Sequence, residues 1–252
     1  MLTKPELSLI LPAYNEEGAI ESALGQLDRV VSGMGLQYEI VVVDDGSVDG
    51  TRMRATSYAS KNGHVRVVGY DENVGKGYAL RKGFMNALGD AIILVDSDLE
   101  IDFKCVSYYV KALQHADIVI ASKWHPESVV KIPFIRRILG HGFNLLVRLM
   151  TGLKLSDTQT GLKAIKRKAF ETIIPRMAVK RYAFDVELLV VSTLYGLKVA
   201  EMPVNIKMKT SFGIIQVWRM FMDLLGITYR LRVSRWYQQA LCKKRMFGCI
   251  VD

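Results

Sequence analysis

The chain has 252 residues, half of them apolar and 23% charged, which excludes wholesale disorder and suits one large domain or a domain with a small appendage. Lys and Arg number 34 against 25 Asp and Glu, a formal net charge of +9; such an excess favours phosphates, nucleic acid or an anionic membrane surface as partners. Three scattered cysteines (Cys105, Cys242, Cys249) without a CxxC and four histidines (His64, His115, His125, His141) without zinc-ligand spacing point to reduced thiols in a cytosolic protein.

Strand and helix patterns alternate through the first half. Leu7–Leu11 reads as a strand before a helix over about 16–34, and Glu39–Val43 as a strand before a helix over about 49–61. Val65–Gly69 leads to a helix over about 76–88, then to the apolar run AIILVDSDL at 91–99, a helix near 103–114 and a strand at 117–121. Repeated βα units of this length imply a mostly parallel sheet with right-handed crossovers. The opening MLTKPELSLILP is too short an apolar run for a signal peptide, and no run of about 18 apolar residues predicts a spanning helix.

The second half changes character. Residues 132–150 carry a narrow polar stripe at Arg137, His141, Asn144 and Arg148, and the rest of the arc is almost wholly apolar. That pattern fits either a helix buried in the core or one lying in a membrane interface. Residues 214–235 are also amphipathic, with Ile214, Val217, Trp218, Phe221, Leu224, Leu225 and Thr228 on one face and Arg219, Asp223 and Arg230 on the other. Packing of that helix on the domain is the plain expectation. The basic tail after it, Arg230, Arg232, Arg235, Lys243, Lys244 and Arg245 among Trp236, Tyr237 and Phe247, has the composition of a membrane-surface segment.

Three strand exits carry acidic or turn-forming residues: LPAYNEE at 11–17, VVVDDGS at 41–47 and VDSDLE at 95–100. Ligands of open α/β sheets bind at the carboxyl ends of the strands. There, Asp96 and Asp98 could share a hard divalent cation that neutralises a diphosphate. Singly, each motif has a structural reading: a turn for Asp44–Asp45, and helix capping for Asn15 and Glu16–Glu17. Lys76 in GYDENVGKG does not belong to a P-loop, because five residues separate Gly69 from Gly75 and Gly77 stands where Ser or Thr is required.

Taken together, the three exits resemble family 2 glycosyltransferases, which have a GT-A (nucleotide-diphospho-sugar transferase) fold. Further blocks in the same order, NVGKGYALRKGF at 73–84, SDTQTGLKAIKR at 156–167, RYAFDVELL at 181–189 and EMPVNIKMK at 201–209, resemble the polyprenyl-phosphate hexosyltransferases, nearer their glucosyl branch than their mannosyl one. The resemblance implies an α/β GT-A domain over 1–212, with 132–150 as an amphipathic helix within it, and a C-terminal amphipathic basic segment over 213–252. It implies inverting transfer of glucose or mannose from UDP-glucose or GDP-mannose to a polyprenyl or dolichyl phosphate. The protein would be peripheral at the cytoplasmic face of a membrane, with no nucleic-acid partner. A soluble acceptor, such as a polysaccharide, is the alternative.

Residue by residue, the resemblance places Pro12, Ala13, Tyr14 and Glu16 around the nucleotide, Val43 and Asp45 at base and ribose, and Asp96, Ser97 and Asp98 at the diphosphate. Asp98 and Glu100 would hold Mg²⁺ or Mn²⁺; Glu100 stands where the mannosyl branch has Gln, and a hard ion accepts either oxygen donor. Lys163 and Lys209 would contact phosphates, with Arg136 or Arg137 as further candidates. Asp157 is the carboxylate that could be named a base; orientation of Lys163 or loop capping is its structural role. A lipid monophosphate, with a second pKa of about 6, needs no base.

Overall fold

A computed structural model describes residues 4–207 and 214–239. Every residue of Leu7–Ala13 (β1) and Tyr38–Asp45 (β2) is buried, as strands covered on both faces must be. With Val65–Tyr70 (β3) and Ala91–Leu94 (β4) they form four contiguous parallel strands of a seven-stranded sheet. Ile118–Ser122 (β5), Lys163–Lys166 (β7) and Val199–Pro203 (β8) extend it, and the spatial order is β3-β2-β1-β4-β7-β5-β8. Val129–Lys131 (β6) and Asn205–Lys207 (β9) pair in a separate two-stranded sheet.

The chain winds outward from β1 to β3 and then returns to place β4 on the other side of β1. The carboxyl ends of β1 and β4 therefore flank a topological switch point. One strand breaks the parallel pattern: β7 runs antiparallel between β4 and β5, with Lys163 opposite both Leu94 and Ile120. That direction brings the loop preceding β7, residues 156–161, to the same rim as the exits of β4 and β5.

Alternate strand residues feed two cores. Ile20–Ser32 (α1), Thr51–Lys61 (α2) and Val106–Ala112 (α4) cover one face. Lys76–Asn86 (α3), Arg167–Ile173 (α6) and Phe184–Leu194 (α7) cover the other. In α1 the buried stripe Ile20, Leu24, Leu27 and Val31 has helical spacing, and each such side chain contributes about 1.5–3 kcal/mol on burial.

This helix begins later than the sequence pattern predicts, and Asn15 does not cap it. Asn15 takes a left-handed conformation (φ 54°) and its Oδ1 accepts the Val48 amide at 3.0 Å. The Glu16 amide donates to Thr51 Oγ1 at 2.7 Å and Glu17 Oε2 accepts the Gly50 amide at 3.1 Å. The acidic segment thus stitches the β1 exit to the β2 exit.

Phe134–Thr151 (α5) packs Phe143, Leu146, Val147 and Met150 on the core and leaves a second apolar set uncovered. Asn144 and Val147 are its buried residues, while Phe134, Ile135, Ile138, Leu139, Leu145 and Leu149 are exposed. Of its polar stripe, Asn144 faces the domain and donates to the Ser156 carbonyl, the exposed His141 stacks on Trp124, and Arg137 and Arg148 are exposed.

Ile214–Thr228 (α8) continues into a π-helical turn at Tyr229–Val233. Its buried stripe is Met220, Leu224 and Ile227, whereas Trp218, Met222 and Leu225, the first and last expected inward, are exposed. Leu224, Ile227 and Tyr237 join the core that covers the sheet. Arg232 of the π turn donates to the carbonyls of Met150 and Leu149 at 2.7 and 3.3 Å, a cation closing the C-terminal end of α5. No helix of the described residues is long and apolar enough to cross a membrane. Lys209, Cys242, Lys243, Lys244, Arg245, Phe247 and Cys249 lie outside the described residues.

Candidate active site

The exits of β1, β2 and β4 meet at the switch point. Pro12 and Ala13 end β1 in register with Val43 and Asp44 of β2, and Tyr14 follows them as an exposed ring. Val43 is wholly buried, so it can offer a ligand only its backbone. The Glu16 carboxyl is raised above its ordinary value, first by burial and then by the charges of Asp98, Asp49 and Asp96. The tertiary structure has brought that carboxylate, 80 residues away in sequence, to the DxD.

Asp45, expected at the ribose, is buried and its oxygens already serve the protein. They accept the Tyr70 hydroxyl at 2.6 Å, the Val74 amide at 2.9 Å, the Gly75 amide at 3.0 Å and Asn73 Nδ2 at 3.1 Å. Asp45 therefore shapes the 73–75 loop. Its neighbour Asp44 holds Arg52 Nε at 2.7 Å through Oδ2, and Asp44 Oδ1 is buried without a hydrogen-bond partner among the described residues. An orphan buried acceptor is rare and costly.

In the DxD, Asp96 Oδ1 lies 2.8 Å from Lys76 Nζ at the start of α3. Lys76 also reaches Asp185 Oδ2 of α7 at 3.4 Å. Burial alone would lower the Lys76 pKa, but Asp185 and Asp96 hold it raised and the ammonium charged. Gly161 packs directly on the Asp96 carboxylate, and a Cβ there would overlap it. Ser97 is buried.

Asp98 carries a carboxyl pushed up to about 6, by burial first and by the Asp96 charge second. Leu99 follows in the left-handed region (φ 58°), unusual for a large L-residue. That turn sends the Glu100 amide back to Asp98 Oδ1 at 3.0 Å. The Glu100 carboxylate is nearly enclosed and lies 3.5 Å from Arg136 Nη1 of α5. Asp98 and Glu100 are thus neighbouring oxygen donors just beyond the exit of β4. Among the described residues no ready group of three His, Cys, Asp or Glu stands at metal-binding geometry. This fits a hard ion held by one or two carboxylates together with substrate phosphates.

Two further candidates sit beneath the rim. Lys163, expected at a phosphate, is 1% exposed, with its ammonium 2.8 Å from Asp185 Oδ1 and donating to the Thr160 carbonyl at 2.7 Å. Its place in β7, between two strands, explains the enclosure.

Asp157 is paired with Lys123 at 2.8 Å and accepts the Thr160 hydroxyl at 2.6 Å and the Gln159 amide at 2.9 Å. Burial would raise its carboxyl, yet the Lys123 ammonium and these donors hold it at about 2. It caps the 157–160 loop and partners Lys123, not Lys163. Asp44, which its strand-exit position marks with Asp45 as a ribose or base acceptor, is instead engaged with Arg52; Lys123 and Asp185 are not marked by the sequence, and Lys76 is marked only as a residue that fails the P-loop pattern. Only the position of Lys76 and Asp185 in blocks already quoted could have marked them.

Residues 8–174 match the family described as Glycosyl transferase family 2. The human dolichyl-phosphate beta-glucosyltransferase is 33% identical over 250 residues, covering 92% of this chain and 77% of that protein. Its namesake in Drosophila melanogaster is 34% identical over 258 residues, covering 95% and 79%. Glucosyl-3-phosphoglycerate synthase from Mycobacterium tuberculosis, solved with Mn²⁺, UDP-glucose and phosphoglyceric acid, superimposes with a TM-score of 0.69 at 21% identity over 89% of this chain and 79% of that one. That likeness is one of fold. The strand-exit blocks lie on a GT-A sheet, and the chain belongs to glycosyltransferase family 2 and is a glycosyltransferase.

Proposed function

We propose that the protein transfers glucose from UDP-glucose to a polyprenyl phosphate, such as dolichyl phosphate, at a membrane surface and with inversion at the anomeric carbon. One observation carries the reading: Glu100, next to the DxD, is joined at 3.5 Å to Arg136 of α5, a helix that leaves Phe134, Ile135, Ile138, Leu139, Leu145 and Leu149 exposed. A donor site is thus tied to a surface suited to a lipid acceptor. The glucosyl relatives favour UDP-glucose; neither of their names supports GDP-mannose.

In this reading Asp98 and Glu100 would hold Mg²⁺ or Mn²⁺, which would supply Lewis-acid neutralisation to the leaving diphosphate. Lys76 stands beside Asp96 as the protein's own cation at that diphosphate. An oxygen of the acceptor phosphate bonds to the anomeric carbon as the bond from that carbon to the diphosphate breaks, and the electron pair leaves with UDP. The acceptor phosphate is largely dianionic at neutral pH, so no base is required. Asp157 is engaged by Lys123, the Thr160 hydroxyl and the Gln159 amide, and is given no part in the transfer. Arg136 and Arg137 on α5, and Lys209 just after β9 in sequence, are the candidates for offsetting repulsion between the two phosphates.

The outward residues of α5 and α8 supply apolar area, and Arg148, Arg219 and Arg232 supply charge for anionic headgroups. These are two signals of the kind that stable peripheral association needs. The test is incubation with UDP-glucose or GDP-mannose, Mg²⁺ or Mn²⁺ and a polyprenyl phosphate in vesicles. A glucosyl phospholipid is expected; transfer only to soluble acceptors would overturn the reading.

A further inference from the structure

Glu187 is the most completely enclosed acid of the described chain that the proposed chemistry does not use. Its side chain is wholly buried on the first turn of α7. Oε2 accepts the amides of Ala178 and Val179 at 2.8 and 2.7 Å. Oε1 accepts the Tyr237 hydroxyl at 2.5 Å and faces Arg230 Nη2 at 3.3 Å. Arg230 Nε in turn donates to the Tyr237 hydroxyl at 3.0 Å. Burying a carboxylate is costly unless it is paired and hydrogen-bonded, and here both oxygens are fully engaged.

The loop held by Glu187 is held from its other side by α3. Its amides point to Glu187, while its carbonyls receive donors from the helix that begins at Lys76: the Tyr78 amide reaches the Lys180 carbonyl at 3.0 Å, and Arg81 Nη1 the Met177 carbonyl at 2.6 Å. No slack remains between the two. A Cβ on Gly75 would stand 2.7 Å from the Lys180 oxygen, and one on Gly77 would stand 2.9 Å from the Val179 oxygen and 2.8 Å from Phe184 Cβ. Close-packed contacts of this kind transmit displacement.

We propose that Glu187 is a positioning residue for the donor site. It fastens Arg230 and Tyr237 of the C-terminal segment to the 177–180 loop, and the loop seats Lys76 against Asp96. The consequence is that the C-terminal segment sets donor affinity as well as offering a surface to lipid. This rests on the reading that the DxD and Lys76 receive a UDP-sugar diphosphate.

The test is a double-mutant cycle on UDP binding, measured by calorimetry with Mn²⁺ and no lipid, for wild type, Tyr237→Phe, Lys76→Met and the pair. It is accompanied by hydrogen exchange at residues 75–78 without nucleotide. Tyr237→Phe keeps the ring and removes only the hydroxyl. It is expected to weaken UDP binding about three- to tenfold, as contacting residues couple, and to speed exchange in the first turn of α3. In the Lys76→Met background it is expected to add nothing further.

Arg230→Met, which leaves the Tyr237–Glu187 bond in place, is expected to give a smaller shift in the same direction. A Tyr237→Phe protein with a lowered Tm but unchanged UDP affinity and exchange overturns the proposal. So does an equal loss in both Lys76 backgrounds. A wild-type protein that binds no UDP fails earlier and differently: it removes the donor reading, and this inference with it.

Discussion

Lys76 Nζ stands between two carboxylates from distant parts of the chain, 2.8 Å from Asp96 Oδ1 and 3.4 Å from Asp185 Oδ2. Asp185 is shared in turn with the enclosed Lys163 at 2.8 Å. The pairing leaves Lys76 nearest the rim and Lys163 below it, with side-chain exposures of 18% and 1%. Of these two lysines, the one at the rim is placed to meet a diphosphate.

Lys76→Met should therefore weaken UDP binding and glucosyl transfer about ten- to a hundredfold, the loss of one charge-assisted contact worth roughly 1.5–3 kcal/mol. Lys163→Met should instead lower Tm strongly, because Asp185 would be left buried beside one cation fewer. Calorimetry and thermal melting on both variants separate the two roles, and the reverse pattern would return Lys163 to the phosphate site.

Metal affinity should depend on pH in a range where ordinary carboxylates are silent. The Asp98 carboxyl lies at about 6 rather than 3.8, so the folded protein holds that proton more tightly than the unfolded chain. The stabilisation this gives is present at low pH and is lost as pH rises through about 6. A cation relieves the repulsion above that point. Binding of Mn²⁺ should be about fourfold weaker at pH 5.5 than at pH 7.5, as protons compete for Asp98. The rise in Tm on adding Mn²⁺ should shrink accordingly. Asp98→Asn should abolish the dependence along with most of the affinity; an unchanged Mn²⁺ titration in that variant would move the metal elsewhere.

Gly161→Ala should damage the site through volume alone. Its Cβ overlaps the Asp96 carboxylate, and overpacking of this kind costs about 1–3 kcal/mol. A lowered Tm with transfer reduced at least about tenfold is expected, since the acid must move off Lys76. Wild-type turnover would show that Asp96 has room to spare.

The outward side of α5 should be needed for lipid and dispensable for folding. Ile138→Ser with Leu149→Ser changes two side chains exposed at 54% and 69%, so Tm and UDP affinity should hold. Each loses up to about 1.5–3 kcal/mol of burial in a lipid interface, so co-flotation with anionic vesicles should fall about tenfold or more. Raising salt should weaken binding of the wild type further. Equal flotation of variant and wild type would sink the assignment of this face.

The strand exits were legible in sequence because buried parallel strands are written as unbroken apolar runs, and acids cannot continue such a run. Ile92–Val95 followed by Asp96 marks a boundary by hydrophobicity alone, and so does Val41–Val43 followed by Asp44. The amphipathic character of 132–150 was equally plain, but a helical period gives the width of an apolar arc and not which side meets protein. That choice came from partners remote in sequence, Trp124 for His141 and Ser156 for Asn144. The same holds for the lysines. Lys163 and Lys76 are alike as letters, yet the antiparallel insertion of β7 between β4 and β5 encloses one, while the start of α3 carries the other to the rim. Tyr237 and Glu187, 50 residues apart, share a bond that no local pattern encodes. Local chemistry set the elements and their acidic ends; which charges are paired, buried or presented was decided by tertiary packing, because desolvation and Coulomb energy depend on distance in space rather than along the chain.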